Sequence, residues 1–188
     1  MSVLLVIAGP SGVGKGTISR QLLARYPQMW LSVSATTRTP RAGERDGREY
    51  VFLTPAEFEQ RMNAGDFLEA FDVFDARYGT PRGPVEEHLA AGDEVLFEVD
   101  VKGALAIKAA FPGALLVFIK PPSPETLRQR LHDRDPSAAP EELERRLAEA
   151  EAEEARAGSF DAIVVNDELE RAVEEIASLV EARRRLQA

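Results

Sequence analysis

The chain has no cysteine and only two histidines. Disulfide scaffolding and thiolate nucleophiles are therefore excluded, and little is left from which to build an imidazole metal site. No apolar run reaches the ~18 residues that a membrane-spanning helix needs, so no membrane is expected as a partner. The opening Met1-Ser2-Val3 puts no basic segment ahead of the first hydrophobic stretch, so no secretory leader is expected either. A cytoplasmic protein fits all three absences. Positive charge is also scarce: 23 Lys and Arg stand against 32 Asp and Glu, a net charge of −9 at pH 7. A protein devoted to a nucleic-acid backbone is usually basic, so no nucleic-acid partner is expected.

Small anions remain possible, because the basic residues are concentrated. Arg38, Arg41, Arg45 and Arg48 crowd residues 36–48 against Glu44 and Asp46. Arg128, Arg130, Arg134, Arg145 and Arg146 crowd residues 128–146. The acidic excess lies largely in 141–154 and 167–175. With 188 residues, 44% of them hydrophobic, the chain suits one domain, working as a monomer or a small homo-oligomer.

The most informative stretch is Gly9-Pro10-Ser11-Gly12-Val13-Gly14-Lys15-Gly16-Thr17. An apolar run, Val3 to Ala8, precedes it, and Ile18, Leu22 and Leu23 follow at helical spacing. Strand, glycine-rich loop, helix is the context of a phosphate-cradling P-loop. Glycines let several backbone N–H groups point at one anion, and the helix adds the positive end of its dipole. Lys15 supplies a mobile charge for the outer phosphates. The usual Ser or Thr after the lysine, which binds Mg²⁺, is replaced by Gly16, with Thr17 one position later.

Downstream, the pattern alternates between strands and helices. Strands are expected at 31–35, 50–52, 67–74, 95–99, 114–119 and 162–165. Thr54-Pro55-Ala56-Glu57 starts a helix whose apolar face is Phe58 and Met62. Further helices are expected at 84–91, 102–111, from Ser123-Pro124 onward, at 141–157, and in a terminal segment striped by Leu169, Val173, Ile176, Ala177 and Val180. Arg77 to Pro81 reads as a turn or a strand end, and 134–140 as a loop. The irregular section, about 36–82, interrupts the alternation like an inserted ligand-binding unit.

Four groups of residues carry chemistry. Arg38 and Arg41, three apart in a polar loop, can fork a phosphate bidentately, with Tyr50 as a further donor; a solvated loop is the plainer alternative. Glu69 on an otherwise apolar strand, with Tyr78-Gly79-Thr80, is either a solvent-face residue or a carboxylate that accepts from a base edge. Asp100 ends an apolar strand, where parallel sheets bind ligands; it can orient Mg²⁺ and its waters or cap the next helix. The arginines around 134–146 suit a closing lid, or a solvated face with pairs such as Glu141–Arg145 and Glu142–Arg146. His88 and His132 read as helix-surface residues.

Together these residues resemble the guanylate kinase family. The resemblance runs from the glycine loop to Val164-Val165-Asn166-Asp167, essentially the whole chain. Ser34-Ala35-Thr36-Thr37-Arg38-x-Pro40-Arg41-x-Gly43-Glu44-x-x-Gly47-x-x-Tyr50 is close to that family's GMP-site pattern, and Glu69, Tyr78-Gly79-Thr80 and Asp100-Val101-x-Gly103-Ala104 follow at fitting distances. The resemblance implies an α/β fold of the P-loop NTPase type: a parallel sheet flanked by helices, an inserted mixed α/β GMP-binding subdomain, and a helical lid. The core would be residues 1–33, 83–125 and 158–188, the subdomain about 34–82, and the lid about 126–157. The implied activity is ATP:GMP phosphotransfer with Mg²⁺, on GMP or dGMP.

The same likeness implies the site. Gly9 through Thr17 would hold ATP, with Asn166 near its adenine. Arg38, Arg41, Tyr50 and Tyr78 would hold the GMP phosphate. Ser34, Glu69, Thr80 and Asp100 would surround the guanine. Lys15, Arg38, Arg134 and Arg146 would act on the transferring phosphoryl group, and Thr17 and Asp100 would hold the metal through water. Family members usually carry Gly-Asn-Tyr where this chain has Asp75-Ala76-Arg77, and the lid loop Asp135 to Pro140 is about one residue longer. Arg146-Leu147 matches the family's Arg-Leu, which selects Arg146 over Arg145. The competing readings are another nucleoside monophosphate kinase, separable by base preference, and a non-catalytic guanylate-kinase-like scaffold module. The scaffold reading fits poorly with Lys15, Arg38, Arg41 and Asp100 all present.

Overall fold

A computed structural model describes residues 2–41, 43–73 and 75–187; Met1, Ala42, Phe74 (the last residue of the expected 67–74 strand) and Ala188 lie outside it. In chain order the elements are β1 (Leu4–Ala8), α1 (Lys15–Arg25), β2 (Met29–Ser32), β3 (Ala35–Thr36), β4 (Val51–Phe52), α2 (Pro55–Asn63), β5 (Phe67–Val73), β6 (Ala76–Pro81), α3 (Arg82–Ala91), β7 (Glu94–Glu98), α4 (Val101–Ala110), β8 (Leu115–Lys120), α5 (Pro124–Arg134), α6 (Pro140–Glu154), a short 3₁₀ turn (Ala157–Ser159), β9 (Ala162–Val165) and α7 (Leu169–Gln187).

The main sheet has the order β2-β7-β1-β8-β9, and every pairing in it is parallel. Such a sheet must be covered on both faces, and strand alternation divides its side chains accordingly. Leu5, Ile7, Leu96, Val117 and Ile119 pack with Ile18 and Leu22 of α1 and with Ile176, Ala177 and Val180 of α7. Val6, Ala8, Val95, Phe97 and Leu116 pack on the opposite side with Val85 of α3 and with Ala104 and Ile107 of α4. β1 is central, so the glycine loop that follows it opens at the carboxyl edge of the sheet between β7 and β8.

A second sheet, β4-β3-β6-β5, is built from the irregular section. β3 pairs parallel with β4 and antiparallel with β6, and β5 with β6 antiparallel. One face is covered by α2, with Ala35, Phe58 and Phe67 buried at the contact. α2 begins with a complete capping box: Glu57 N donates to Thr54 Oγ1 at 3.2 Å, and Thr54 N donates to Glu57 Oε2 at 2.8 Å.

The structure corrects four expectations. The run 31–35 is not one strand: β2 belongs to the main sheet and β3 to the second, so the chain changes sheets at Val33-Ser34. Arg77 to Pro81 is no turn but most of β6, paired along β5 from Phe67 to Val73. Its Gly79 is required by close packing, since a Cβ there would lie 3.0 Å from Glu69 O and 3.2 Å from the Phe58 ring. Met62 is 39% exposed, so Phe58 alone anchors α2. The helix expected over 141–157 ends at Glu154, with the 3₁₀ turn carrying Ala157.

Candidate active site

The glycine loop delivers α1 without a side-chain cap. Gly14 is the N-cap at φ +101° and has no side chain to offer; its carbonyl accepts from Thr17 N at 3.1 Å, which leaves the Lys15 and Gly16 amides as the helix's anion-facing donors. A Cβ at Gly14 would also lie 2.5 Å from Asn166 Nδ2. Lys15 Nζ donates to the carbonyls of Gly9 and Pro10. Burial pulls the Lys15 pKa below its usual value, and the carboxylates of Glu98, Glu153 and Asp100 push back. The side of Gly16 is turned toward Glu98: a Cβ there would be 3.5 Å from Glu98 Oε1. The Thr17 hydroxyl accepts from Arg20 Nη2 at 3.2 Å.

The face of the second sheet turned from α2 carries Glu69, Tyr78 and Thr80, three of the residues expected to hold GMP, together with Thr36. Glu69 pairs opposite Thr80, and Thr36 opposite Tyr78, so alternation puts all four on the face away from α2. Arg38 is held there by Glu44, to which Nη2 donates at 2.9 Å, and by Tyr78, whose hydroxyl lies 3.3 Å from Nε. Its guanidinium stands 5.4 Å from the Tyr50 ring centroid, and Tyr50 meets Tyr78 edge-on at 5.8 Å. Desolvation pushes the Tyr50 phenol up to about 12, so Tyr50 is a donor at neutral pH. Glu44 also accepts from Arg41 N at 2.7 Å, which shapes the loop between the two arginines. Ser34 lies at the entrance of β3, its carbonyl accepting from Val51 N at 2.9 Å.

Glu69 accepts from the Thr80 hydroxyl. Burial raises its pKa to about 7, Asp100 adds to the rise, and Thr80 opposes it. Asp100 does cap α4, with Gly103 N donating to Oδ1 at 2.7 Å. It is nonetheless electrostatically felt by both Glu69 and Lys15, so one residue of the main sheet's edge borders both loop and insert.

α5 and α6 form the arginine-rich hairpin, closed by Leu127, Leu131, Ala150, Leu143 and Leu147. Arg134, the last residue of α5, has its pKa lowered by burial and then by the positive charges of Arg41, Arg146 and Arg38. Among the described residues it forms no ion pair. Arg146 keeps 17% of its side chain exposed and is bonded to Glu142 at 2.7 Å; Arg145 keeps 46% and also meets Glu142. Four guanidinium groups from three separate segments thus converge beside Tyr50, an arrangement that favours a multiply charged anion.

Sequence reasoning missed Glu98, Glu153 and Arg130. Glu98 was detectable by the logic applied to Asp100, since it too is an acid closing the apolar Val95-Leu96-Phe97 run. Glu153 faces Lys15 from α6; burial lifts its pKa to about 7, and its Oε2 has no hydrogen-bond partner among the described residues. Arg130 carried no signal of its own within a cluster of arginines. Asn166 is 7% exposed, and its Nδ2 donates to Val13 O at 2.8 Å.

Comparison with known proteins finds relatives over nearly the whole chain. A family model described as guanylate kinase matches residues 1–183. The chain is 53% identical over 180 residues to a guanylate kinase of Gloeobacter violaceus, covering 96% of this chain and 87% of that protein. It is 49% identical over 183 residues to one of Symbiobacterium thermophilum, covering 97% and 86%. Its fold superposes with a TM-score of 0.80 on the crystal structure of guanylate kinase from Anaplasma phagocytophilum, at 30% identity over 96% of this chain and 85% of that one. A gluconokinase from Sinorhizobium meliloti shares the fold alone, with a TM-score of 0.55 and 19% identity. The match spans the glycine loop, the second sheet and the arginine hairpin alike, and the chain belongs to the guanylate kinase family.

Proposed function

We propose that the chain transfers the γ-phosphoryl group of Mg·ATP directly to GMP, forming ADP and GDP. The observation that supports this best is the clustering of Arg38, Arg41 and Arg146 within electrostatic reach of Arg134, which in turn is felt by Lys15 of the glycine loop. The chemistry to be done is the joining of two anions. The second pKa of a phosphate monoester is about 6, so the attacking oxygen of GMP is already mostly ionised and no general base is needed. Both histidines are elsewhere: His88 stacks on Trp30 at 4.0 Å and faces Asp93, and His132 lies exposed on α5.

Arg38 and Arg41, with the hydroxyls of Tyr50 and Tyr78, hold the acceptor phosphate. Gly9 through Thr17 cradle the ATP phosphates, and Lys15 leaves its carbonyl partners for the outer ones. Arg134 and Arg146 neutralise charge on the group in flight; Arg146, the more enclosed of the two neighbours, takes this part rather than Arg145. Positioning and electrostatics carry the rate. Glu69, with Ser34, Thr80 and Asp100 around it, accepts from guanine N1–H and the exocyclic amine; adenine would present it with an acceptor instead.

Mg²⁺ arrives with ATP, held mainly by phosphate oxygens and water. Among the described residues no cluster of three or more His, Cys, Asp or Glu could hold a resident metal. Glu98 and Asp100 fit the water shell of such an ion, because both lie within electrostatic reach of Lys15 and Glu98 faces the hydroxyl-free side of Gly16. The Thr17 hydroxyl, which accepts from Arg20, would offer that shell its remaining lone pair. No described helix is long and apolar enough to cross a membrane. The setting we propose is the cytoplasm, with small nucleotides (GMP or dGMP) rather than nucleic acid as partners and a monomer or small homo-oligomer as the working unit. The test is ADP formation from Mg·ATP with GMP, AMP, UMP or CMP offered separately. Fast turnover confined to GMP is expected; turnover with another nucleotide would overturn the base-site roles.

A further inference from the structure

The glycine loop is held from outside by a closed ring of three residues. Arg130 of α5 donates Nη1 to Val13 O at 3.3 Å and Nη2 to Asn166 O at 3.0 Å. Asn166 closes the ring by donating Nδ2 to the same Val13 O at 2.8 Å. Asn166 is itself fixed to the main sheet, its N–H donating to Lys120 O at 2.8 Å at the end of β8. Leu131 and Leu127 press on the loop from the same helix: a Cβ on Gly12 would lie 2.9 Å and 3.6 Å from them. Val13 between these contacts is fully buried.

The peptide plane turns this ring into a statement about phosphate binding. A trans peptide points its C=O and the following N–H in opposite directions. Two donors on the Val13 carbonyl therefore fix the Gly14 N–H toward the opposite side, the concave side of the loop. Gly14 holds φ +101°, a conformation with little intrinsic preference for one peptide orientation in glycine. Without the ring, the 13–14 peptide is free to rotate and the loop loses a donor aimed at the anion.

We propose that Asn166 and Arg130 are positioning residues that set the phosphate-binding shape of the glycine loop, so that Asn166 contributes to triphosphate binding through Val13. The proposal deepens the donor site of the phosphotransfer reading and rests on it. It also gives α5 a double part, because Arg134 follows Arg130 by one helical turn on the same helix. The root of the hairpin braces the loop and its tip carries a charge to the reacting group.

The test measures binding by calorimetry to the intact chain, with inorganic tripolyphosphate, ATP, ITP and GMP as probes, for Asn166→Ala, Arg130→Met and Arg130→Lys. A lost charge-assisted bond at a buried carbonyl weakens binding by about tenfold or more. The expected result is that Asn166→Ala and Arg130→Met weaken tripolyphosphate, ATP and ITP by the same factor and leave GMP unchanged. Arg130→Lys, with one donor head in place of a fork, is expected to recover part of the loss. The Asn166→Ala/Arg130→Met double variant is expected to be no weaker than the worse single one. A loss confined to ATP, with tripolyphosphate unaffected, would overturn the proposal in favour of adenine reading. So would unchanged binding of all four probes, or a matching loss of GMP affinity, which would mark a general structural role. Failure of the unaltered chain to turn over GMP would sink the phosphotransfer reading instead, while tripolyphosphate binding would still report on the brace.

Discussion

The two sheets of this molecule are built on opposite plans. The main sheet is parallel, apolar and buried on both faces, with Phe97, Phe118, Leu5, Ile7, Leu96 and Leu116 all fully enclosed. The second sheet is mixed, and its apolar face is the one covered by α2, where Phe58 and Phe67 stack at 4.6 Å. Its other face carries Arg38, Tyr50, Tyr78, Glu69 and Thr80, tied to one another and to Glu44. The first sheet joins its parallel ladders to apolar burial on both faces and gives the glycine loop a fixed base. The second presents a polar face, where the Glu69 carboxyl and the Arg38 and Tyr78 donors are the groups proposed to meet a guanine nucleotide. Rigidity and recognition are thus assigned to different sheets, and Asp100 at the edge of one borders both.

The largest test of that division is Lys15→Met. It is expected to cost turnover by about a thousandfold or more, since it removes a charge from the reacting phosphates. GMP affinity, measured by calorimetry, should remain; a parallel loss of GMP binding would erase the distinction. Glu69→Gln should act the other way, lowering kcat/KM for GMP by about a hundredfold or more while the KM for ATP hardly moves. An equal loss for both nucleotides would remove Glu69 from the base site. A third comparison pairs Phe97→Ala with Phe58→Ala. Each leaves a large cavity and costs about 3–5 kcal/mol. The first should lower the global unfolding midpoint; the second should expose the amides of 35–36, 51–52 and 67–81 to hydrogen exchange while the main sheet stays protected.

The smallest expected effect is in pH. Glu69 and Glu153 titrate at about 7 in the folded chain, raised from 4.5 chiefly by burial. Between those values the folded state keeps protons that the unfolded chain releases. The stability these groups lend is therefore fully present below about 4.5 and is lost as pH rises toward 7. Thermal melting across that window should show the decline, and Glu153→Gln should flatten it. GMP binding has the opposite slope, because only ionised Glu69 can accept from both guanine donors. The ratio of wild-type to Glu69→Gln affinity, which cancels the ionisation of the phosphate, should grow from pH 5.5 to 7.5. A constant ratio would show that Glu69 binds uncharged.

Much of this was legible in the residues. The glycine loop announces itself because strand, turn and helix signals coincide there, and the Thr54 cap because its box is complete within four positions. What was illegible is tertiary. Alternation continues smoothly through 31–35, so nothing local says that the chain leaves one sheet at Val33-Ser34 and enters another. Gly79 and Pro81 argue against a strand, yet Gly79 is there because Phe58 and Phe67 pack over it, and Pro81 ends β6 opposite Phe67. In the site, paired roles are visible only in space: Asp100 is both cap and site edge, and Arg130 meets Asn166 across a separation of 36 residues.

The stem of the second sheet has a consequence for how the chain can fold and vary. The strand that leaves the core, β3, pairs antiparallel with the strand that returns to it, β6, through Ala35↔Gly79 and Thr36↔Tyr78. Closing a chain excursion costs entropy that rises only by about 0.6 kcal/mol for each doubling of its length, once its ends are brought together. Here the ends are zipped by the excursion's own backbone hydrogen bonds. β2 meanwhile reaches β7 by pairings made wholly outside residues 34–81. The core can therefore complete its sheet without the excursion's own pairings, and the length of the loops within 34–81 can vary with little entropic cost to the main sheet.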